Sequence, residues 1–338
     1  MIRIFSALVL SLFGATTAWA SCAQDGSGGL SHLSAAQRDD LLSEIADAPF
    51  AEGNFWQVEK GGVTSYVFGT MHLYDPRHDS ALRAIAPQLE KAEQLLMEMT
   101  HEDQLTFQSI LLQQPERLFI QTGPSLIDLL GDEAWAKLSA QLETRGMPAF
   151  MAAKMQPWYA GLTLSIPACA LEDMKEDRHG IDRMIEEIAN EAAMPTQSLD
   201  VAEDLIDLLS SDPLEQQVAD MRWSLSLDLQ DLTTGGSAII DHYFSEQSLL
   251  GFLASRYTPQ LGQLTPADAI KLDTVLDEFM AELIDQRNIA WMPTLRSELE
   301  TTPSFVAMGA LHLPGKNGVL ALLQAEGFDI TRLPISAF

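Results

Sequence analysis

The sequence predicts an α/β protein with a mixed sheet, built from parallel strand–helix–strand units at both ends of the chain and a large helical insert between them. Three observations favour this fold class. The 338 residues are 46% hydrophobic, which is enough apolar material for a sizeable core. Near the start of the chain a β-rich run, a glycine, a histidine, a helical pattern and a second apolar run follow one another. The same order returns near the end.

Residues 1–20 have the features of a cleaved export signal. Arg3 precedes an apolar stretch, and Ala18-Trp19-Ala20 has the small-x-small form of a signal-peptidase site. The alternatives are a buried helix or a membrane anchor, but the stretch is short for a span. We therefore expect a mature chain that begins at Ser21, lies in the periplasm or is secreted, and keeps no integral membrane segment.

The chain has two cysteines, Cys22 and Cys169. A disulfide between them is one option in an oxidising compartment. Cys22 follows the expected cleavage site closely, so it could instead be free or carry a lipid. Trp19 stands where a lipoprotein signal would have leucine, so lipidation of Cys22 is the weaker of these alternatives.

We expect a helical or flexible segment over residues 21–50 and one domain over residues 51–338. The domain begins with the first strand–helix–strand unit. "VTSYVF" is a β-rich run that ends at Gly69, and His72 follows. "ALRAIAPQLEKAEQ" then has apolar residues at helical spacing, and "LLMEM" (95–99) returns to a strand that contains Glu98.

The second unit lies at the other end of the chain. "PSFVAM" ends at Gly309, and His312 follows. "VLALLQAE" is a helical pattern closed by Gly327, and "FDITRLP" is a strand. Both units therefore carry the phrase Gly-x-x-His-Leu directly after a strand.

This shared order predicts a site at one edge of the sheet. Loops that follow parallel strands meet at the carboxyl edge, where α/β proteins bind ligands. His72, His312 and Glu98 should converge there, and two imidazoles with a carboxylate suit a divalent ion such as Mn, Co or Zn. The alternative is that the histidines cap helices and that Glu98 is a solvated strand end.

The helical insert is expected over about residues 102–300, and its last helix carries a second group of polar residues. In "FMAELIDQRNIAWMPTLRSEL" the apolar residues form a stripe at helical spacing, and Arg287 and Asn288 fall on that stripe. A buried guanidinium needs a partner, so Arg287 either points into the site or forms a structural ion pair. Pro293 predicts a kink or break in the helix just before it.

Charge and motifs exclude several classes of function. The net charge is −28, from 48 acidic and 20 basic residues, which disfavours nucleic-acid binding. "HEDQL" lacks the second histidine of a zincin helix, and the sequence contains no Gly-x-Ser-x-Gly motif. "GALHLPGKN" does not have the spacing of a phosphate-binding P-loop.

Five segments together resemble the TraB/GumN family, which also includes PrgY-like pheromone-shutdown proteins and the animal Tiki proteases. These segments are "YVFGTMHLYDP", "LLMEM", "HGID", "QRNIAW" and "FVAMGALHLPGKNGVLALLQAEGFDI". The resemblance covers roughly residues 50 to 335, and "GALHLPGKNGVLALL" is its most specific part. One departure is Asp200, because relatives usually have glutamate at that position.

The resemblance implies a metal-dependent hydrolase-like domain whose α/β core is similar to erythromycin-esterase-like and heme-binding ChaN-like proteins. It implies His72, His312 and Glu98 as the active centre, with Arg287 and Asn288 matching the Arg-Asn pair of the family. We therefore predict an exported metal-dependent hydrolase acting on peptides or another small substrate, in which Glu98 is a ligand or a base. The alternatives are a heme-like ligand-binding protein and an accessory protein without catalysis.

Overall fold

A computed structural model describes residue 30 and residues 33–227, 239–257 and 264–335. The expected export signal, the expected cleavage site and Cys22 lie outside these ranges. Cys169 lies inside them and is disulfide-bonded.

Six strands form one mixed sheet, as the sequence predicts. The strands are β1 (Phe55–Lys60), β2 (Val63–Thr70), β3 (Gln94–Met97), β4 (Thr196–Ser198), β5 (Ser304–Gly309) and β6 (Asp329–Arg332). Their order in the sheet is β4-β3-β5-β2-β1-β6. β4, β3, β5 and β2 pair in parallel, whereas β1 is antiparallel to both β2 and β6.

The two strand–helix–strand units interleave in this sheet. β5 from the end of the chain lies between β2 and β3 from its beginning. β6 runs in the same direction as β5, because β1 is antiparallel to both β2 and β6, but it lies at the far edge of the sheet. The carboxyl ends of four neighbouring strands therefore meet at one edge.

In the part of the chain that the structure describes, sixteen helices are numbered in chain order. They are α1 (Ala35–Asp47), α2 (His78–Leu89), α3 (His101–Gln113), α4 (Pro115–Leu118), α5 (Leu126–Leu130), α6 (Asp132–Glu143), α7 (Ala149–Ala152), α8 (Pro157–Ser165), α9 (Ala168–Lys175), α10 (Ile181–Glu191), α11 (Ala202–Leu209), α12 (Leu214–Ser226), α13 (Ser248–Ala254), α14 (Pro266–Phe279), α15 (Gln286–Leu299) and α16 (Val319–Ala325). Residues 239–244 are helical as well.

Helices cover both faces of the sheet. On one face α2 and α10 pack on alternate strand residues such as Phe68, Met97 and Ala307. On the other face α15 and α16 pack on the intervening residues, including Val67 and Val306. Because side chains alternate along a strand, each central strand contributes to both cores, which explains its continuous apolar sequence.

Local sequence explains the ends of several elements. The turn between β1 and β2 consists of Gly61 and Gly62, whose φ angles are 61° and 87°. Positive φ at both central residues is the geometry of a tight hairpin turn, and glycine adopts it without steric cost. α3 begins after Thr100, whose hydroxyl accepts a hydrogen bond from the Asp103 amide and so caps the helix.

The insert between β3 and β5 is mostly helical and has a core of its own. α5, α6, α7, α8 and α12 pack around a separate apolar cluster. Of the kink or break predicted just before Pro293, the break is not found, because α15 runs through this residue. The irregular part is a π-helical turn at Met280–Asp285, directly before α15. Within the described ranges no helix is long and apolar enough to cross a membrane.

Candidate active site

Four strand ends deliver one polar side chain each to the carboxyl edge of the sheet. Asp200 follows β4, Glu98 follows β3, His312 follows β5 and His72 follows β2. The order of these side chains along the edge is therefore the order of the strands. The Asp200 amide donates to the Glu98 carbonyl at 2.9 Å, which extends the β3–β4 pairing and keeps the two acidic residues side by side.

The glycines of the two Gly-x-x-His phrases lie where no larger residue fits easily. A Cβ on Gly69 would stand 2.8 Å from Leu313 Cδ1 and 3.0 Å from Ala310 Cα, so the first phrase packs directly on the turn of the second. The Gly309 amide donates to Glu98 Oε1 at 2.5 Å. Glycine thus brings the two loops and Glu98 together.

Arg287 of α15 joins the two acidic residues. Its Nη2 donates to Glu98 Oε2 at 2.5 Å and to Asp200 Oδ2 at 2.6 Å. Nη1 donates to the Leu283 carbonyl, in the π-helical turn, at 3.0 Å. The Trp291 indole N–H donates to Asp200 Oδ1 at 2.8 Å, which accounts for the remaining oxygen of that carboxylate. Arg287 is therefore both an ion-pair partner and part of the candidate site.

His312 is buried, with 3% of its side chain exposed. Its Nδ1–H donates to Asn288 Oδ1 at 2.7 Å, and Asn288 Nδ2 donates back to the His312 carbonyl at 3.3 Å. This pairing leaves Nε2 as the acceptor, and Arg287 Nη1 lies 3.3 Å from it. Burial lowers the pKa of His312 to about 4, so the ring is neutral at pH 7.

His72 has a different setting, with 64% of its side chain exposed. Its Nδ1–H donates to Asp182 Oδ2 at 3.1 Å. The negative charge of Asp182 raises the pKa of His72 to about 9. Asp182 lies in the first turn of α10, the helix that begins directly after Gly180.

Gly180 allows the start of α10 to lie against the loop that carries His72. A Cβ on Gly180 would overlap the backbone of Met71 and His72. The amide of Ile181 donates to the Met71 carbonyl at 3.1 Å, which fixes this contact. Asp182 then reaches the imidazole.

Electrostatic attraction keeps Glu98 ionised. Burial alone would raise the pKa of Glu98, but attraction to His312, His72 and Arg287, together with the Gly309 amide, lowers it below the usual range. Because His312 is neutral at pH 7, Arg287 is the permanent positive charge closest to Glu98. Burial would likewise lower the pKa of Arg287, and Glu98 with Asp200 raises it.

The two imidazoles and Glu98 surround a space above Gly309. A Cβ on Gly309 would lie 3.0 Å from Glu98 Oε1, 3.5 Å from His312 Cδ2 and 3.9 Å from His72 Nε2. His312 Nε2 is 3.7 Å from Glu98 Oε1. In the described part of the chain no group of three or more His, Cys, Asp or Glu side chains is arranged to hold a metal ion as it stands. Glu98 is engaged by Arg287 and the Gly309 amide instead.

A cavity of about 260 Å³ opens beside these groups. Its polar lining includes His72, Glu98, Asp182, Asp200 and Arg287. Two polar atoms of lining residues, Thr70 Oγ1 and Asp182 Oδ1, are buried without a hydrogen-bond partner among the described residues.

The structure brings all five predicted site residues together, namely His72, Glu98, Arg287, Asn288 and His312. Their roles as ligands or catalysts stay a prediction. Sequence reasoning missed Asp182 as the partner of His72, although the segment "HGID" that contains it carried part of the family resemblance. It also left open the place of Asp200, which binds Arg287 and Trp291.

The chain belongs to the TraB/PrgY/gumN family, whose family model matches residues 54–332. The match covers most of the chain and includes every residue of the site described above. Comparison with curated proteins gives no match, and comparison with solved structures gives none either.

Proposed function

We propose that the protein is an exported metal-dependent hydrolase that cleaves peptide bonds. The observation that carries this proposal is the space above Gly309, because two imidazoles and a carboxylate from three neighbouring strands face it. Two nitrogen ligands and one oxygen ligand suit Mn, Co or Zn and leave coordination positions for water and substrate.

The donor atoms support the proposed ligands. Asn288 holds the Nδ1 proton of His312 and Asp182 holds that of His72, so that each Nε2 is the atom left for a metal. Partners of this kind fix the ring orientation of metal-binding histidines. Glu98 fits the role of ligand better than that of base, because its lowered pKa makes it a weak proton acceptor.

A divalent ion held by His72, His312 and Glu98 would supply the polarisation of a substrate carbonyl and the activation of water. The remaining chemistry belongs to residues of the chain. Arg287 keeps Glu98 ionised and lines the cavity, where its positive charge would stabilise an oxygen that gains negative charge. Asp200 and the Trp291 indole hold that guanidinium in place.

The size of the cavity argues against heme binding at this edge. At about 260 Å³ it is smaller than the pockets that enclose drug-sized ligands, and heme is larger still. An accessory protein without catalysis remains the second candidate, because Arg287 occupies Glu98 in the structure.

The test is metal content measured beside peptide cleavage. The purified protein should contain Mn, Co or Zn and cleave members of a peptide library, and the His72→Ala and His312→Ala variants should lose at least about half of the metal and the cleavage. His101→Ala is the matched control, because His101 is exposed and does not line the cavity. Full metal content in both site variants would refute the proposed ligands, and metal without cleavage would support the accessory protein.

Export is a separate part of the proposal. It rests on the signal-like residues 1–20, and the disulfide bond at Cys169 supports it because disulfides persist in oxidising compartments. Intact-mass analysis of the protein from its native host should show a chain that begins at Ser21. Retained residues 1–20, or a diacylglycerol on Cys22, would contradict this.

A further inference from the structure

The cavity beside the proposed catalytic groups has an apolar side that the metal chemistry does not use. This side is formed by Met97, Met99, Leu205 and Ala307. Met99 and Leu205 are partly exposed, whereas Met97 and Ala307 are buried. Met99 follows Glu98 in the chain, and Leu205 lies on α11, which follows β4. Three of these four residues, all except Ala307, therefore lie on the β3–β4 side of the site with Glu98.

The sheet itself provides the floor of this recess. Met97 and Ala307 are paired in register on β3 and β5, and Ala307 is also the register partner of Phe68 on β2. All three side chains point to the same face of the sheet. A small alanine between two large neighbours leaves room at the carboxyl end of β5, where the cavity lies.

Thr70 contributes a buried polar group to the lining of the same cavity. It is the last residue of β2, it is 3% exposed, and its hydroxyl has no hydrogen-bond partner among the described residues. A buried hydroxyl without a partner costs free energy, and a hydroxyl can either donate or accept. The backbone amide group of a bound substrate would satisfy Thr70.

Size and charge limit what the recess can take. A cavity of about 260 Å³ is below the range that encloses a drug-sized ligand, so it receives a part of the substrate about as large as one residue. The nearby carboxylates of Glu98, Asp182 and Asp200 and the net charge of −28 disfavour an acidic side chain, and the Arg287 guanidinium on the same lining disfavours a basic one. An uncharged apolar side chain matches the methionine and leucine walls.

We infer that Met99 and Leu205 determine substrate specificity, by forming a recess for one apolar side chain beside the bond that is cleaved, with the Thr70 hydroxyl on the adjoining backbone amide. This inference rests on the proposed peptidase activity. It assigns the substrate class as peptides with a medium-sized apolar residue next to the scissile bond.

The test uses the metal-loaded protein and the peptides acetyl-Ala-X-Ala-Ala-amide, in which X is Gly, Ala, Leu or Asp. Wild type should cleave the Leu peptide at least about tenfold more efficiently than the Ala peptide, the discrimination that a few methylene groups provide in an apolar pocket. Leu205→Phe and Met99→Phe fill the recess, so each should reduce that preference to about twofold or less. Leu112→Phe is the control, because Leu112 is exposed and lies outside the cavity.

The outcomes separate this inference from the proposed function. If wild type and both filled variants cleave with the same preference for the Leu peptide over the Ala peptide, the proposed recess is overturned. The proposed hydrolase activity would still stand. If only one filled variant folds, its preference decides. A preference for Asp at X would also overturn the inference.

If none of the peptides is cleaved, the proposed hydrolase activity is refuted. A binding experiment then tests whether the recess takes an apolar side chain. The protein labelled with ¹³C-methyl methionine is then titrated with the same peptides, and the Met99 signal is assigned from the Met99→Leu variant. A shift of the Met99 methyl signal with the Leu peptide and none with the Gly peptide would support an apolar recess. An unchanged signal with both would overturn it.

Discussion

His72 lies in an exposed loop beside a charged partner, whereas His312 lies in a buried turn beside a neutral one. Both histidines occupy the same position of a Gly-x-x-His-Leu phrase that follows a parallel strand. Their pKa values nevertheless lie on opposite sides of neutrality, at about 9 for His72 and about 4 for His312. The phrase places the ring, and its surroundings decide its charge, burial in the case of His312 and the neighbouring Asp182 in the case of His72.

This difference gives the two rings separate tasks before any metal is bound. In the proposed metal site His312 would be a neutral ligand at pH 7, whereas His72 would first have to release a proton to free its Nε2. The buried half of the site is therefore fixed by packing, and the exposed half is adjusted by charge. Substitutions should affect stability mainly in the first half and protonation mainly in the second.

The largest effect is expected at Arg287, on the buried side. Lysine keeps the charge but has one nitrogen, whereas arginine uses Nη2 for Glu98 and Asp200 and Nη1 for the Leu283 carbonyl, so Arg287→Lys should fold and lose activity on the order of 10² to 10³. Peptide cleavage and thermal melting check this together. Arg296→Lys, at an exposed position of the same helix, is the control. An Arg287→Lys variant that melts well below wild type but turns over normally when folded would show a purely structural ion pair.

Alanine at Asn288 and alanine at Asp182 should lower the free energy of unfolding by different amounts. Asn288 is buried and pairs with His312 and with the Asn317 carbonyl, so Asn288→Ala leaves buried groups without partners and should cost about 2–4 kcal/mol. Asp182→Ala affects a ring that water can reach and should cost less than about 1 kcal/mol. Urea unfolding of the metal-free variants measures both. Equal losses would remove the distinction between the two halves.

Gly309 lies between the two histidines. Substituting it tests whether both rings bind the same metal ion. Alanine suits the backbone here, where φ is −51°, but its methyl group would enter the space shared by Glu98 and the imidazoles. Gly309→Ala should reduce metal affinity by at least about tenfold, as altered surroundings of metal ligands do. Metal titration measures this, with Gly161→Ala as the control because that site has open space. Unchanged affinity would place the metal elsewhere.

The smallest effect is expected from Asp182→Asn, which should lower the pKa of His72 from about 9 towards its ordinary value of 6.5. In the wild type this pair stabilises the fold fully below pH 6.5, and the contribution is lost as the pH rises through about 9. NMR titration of the histidine rings in the metal-free protein measures the shift. The pKa of His312 serves as the internal reference. An unchanged His72 pKa would mean that another group sets its charge.

The convergence of His72, Glu98 and His312 could be predicted, because it follows from a general property of parallel strands. Each residue comes directly after an apolar run, and such ends meet at one edge whatever the strand order. Arg287 and Asn288 could be placed on a buried stripe because helical spacing is visible in the sequence. The fold class followed from the same two periodicities.

The strand order and the partners of the histidines could not be predicted from local patterns. Nothing in "FVAMG" indicates that β5 inserts between β2 and β3, since that depends on which neighbours complete the sheet. Asp182 meets His72 only because α10 docks on the loop after β2, and Gly180 permits that contact. The helix continues through Pro293 without the break that was one of the two expectations there, the other being a kink, and a π-helical turn precedes the helix.

The central position of β5 also has a consequence for the order in which the protein is made. Chains are synthesised from the amino terminus, so β2 and β3 exist long before Ser304, the first residue of the strand that joins them. Until then the two strand edges that face β5 lack their partner, and His312 is missing as well. The ribosome must therefore finish nearly the whole chain before the four strand ends can meet, and an incomplete chain lacks both the central strand and His312.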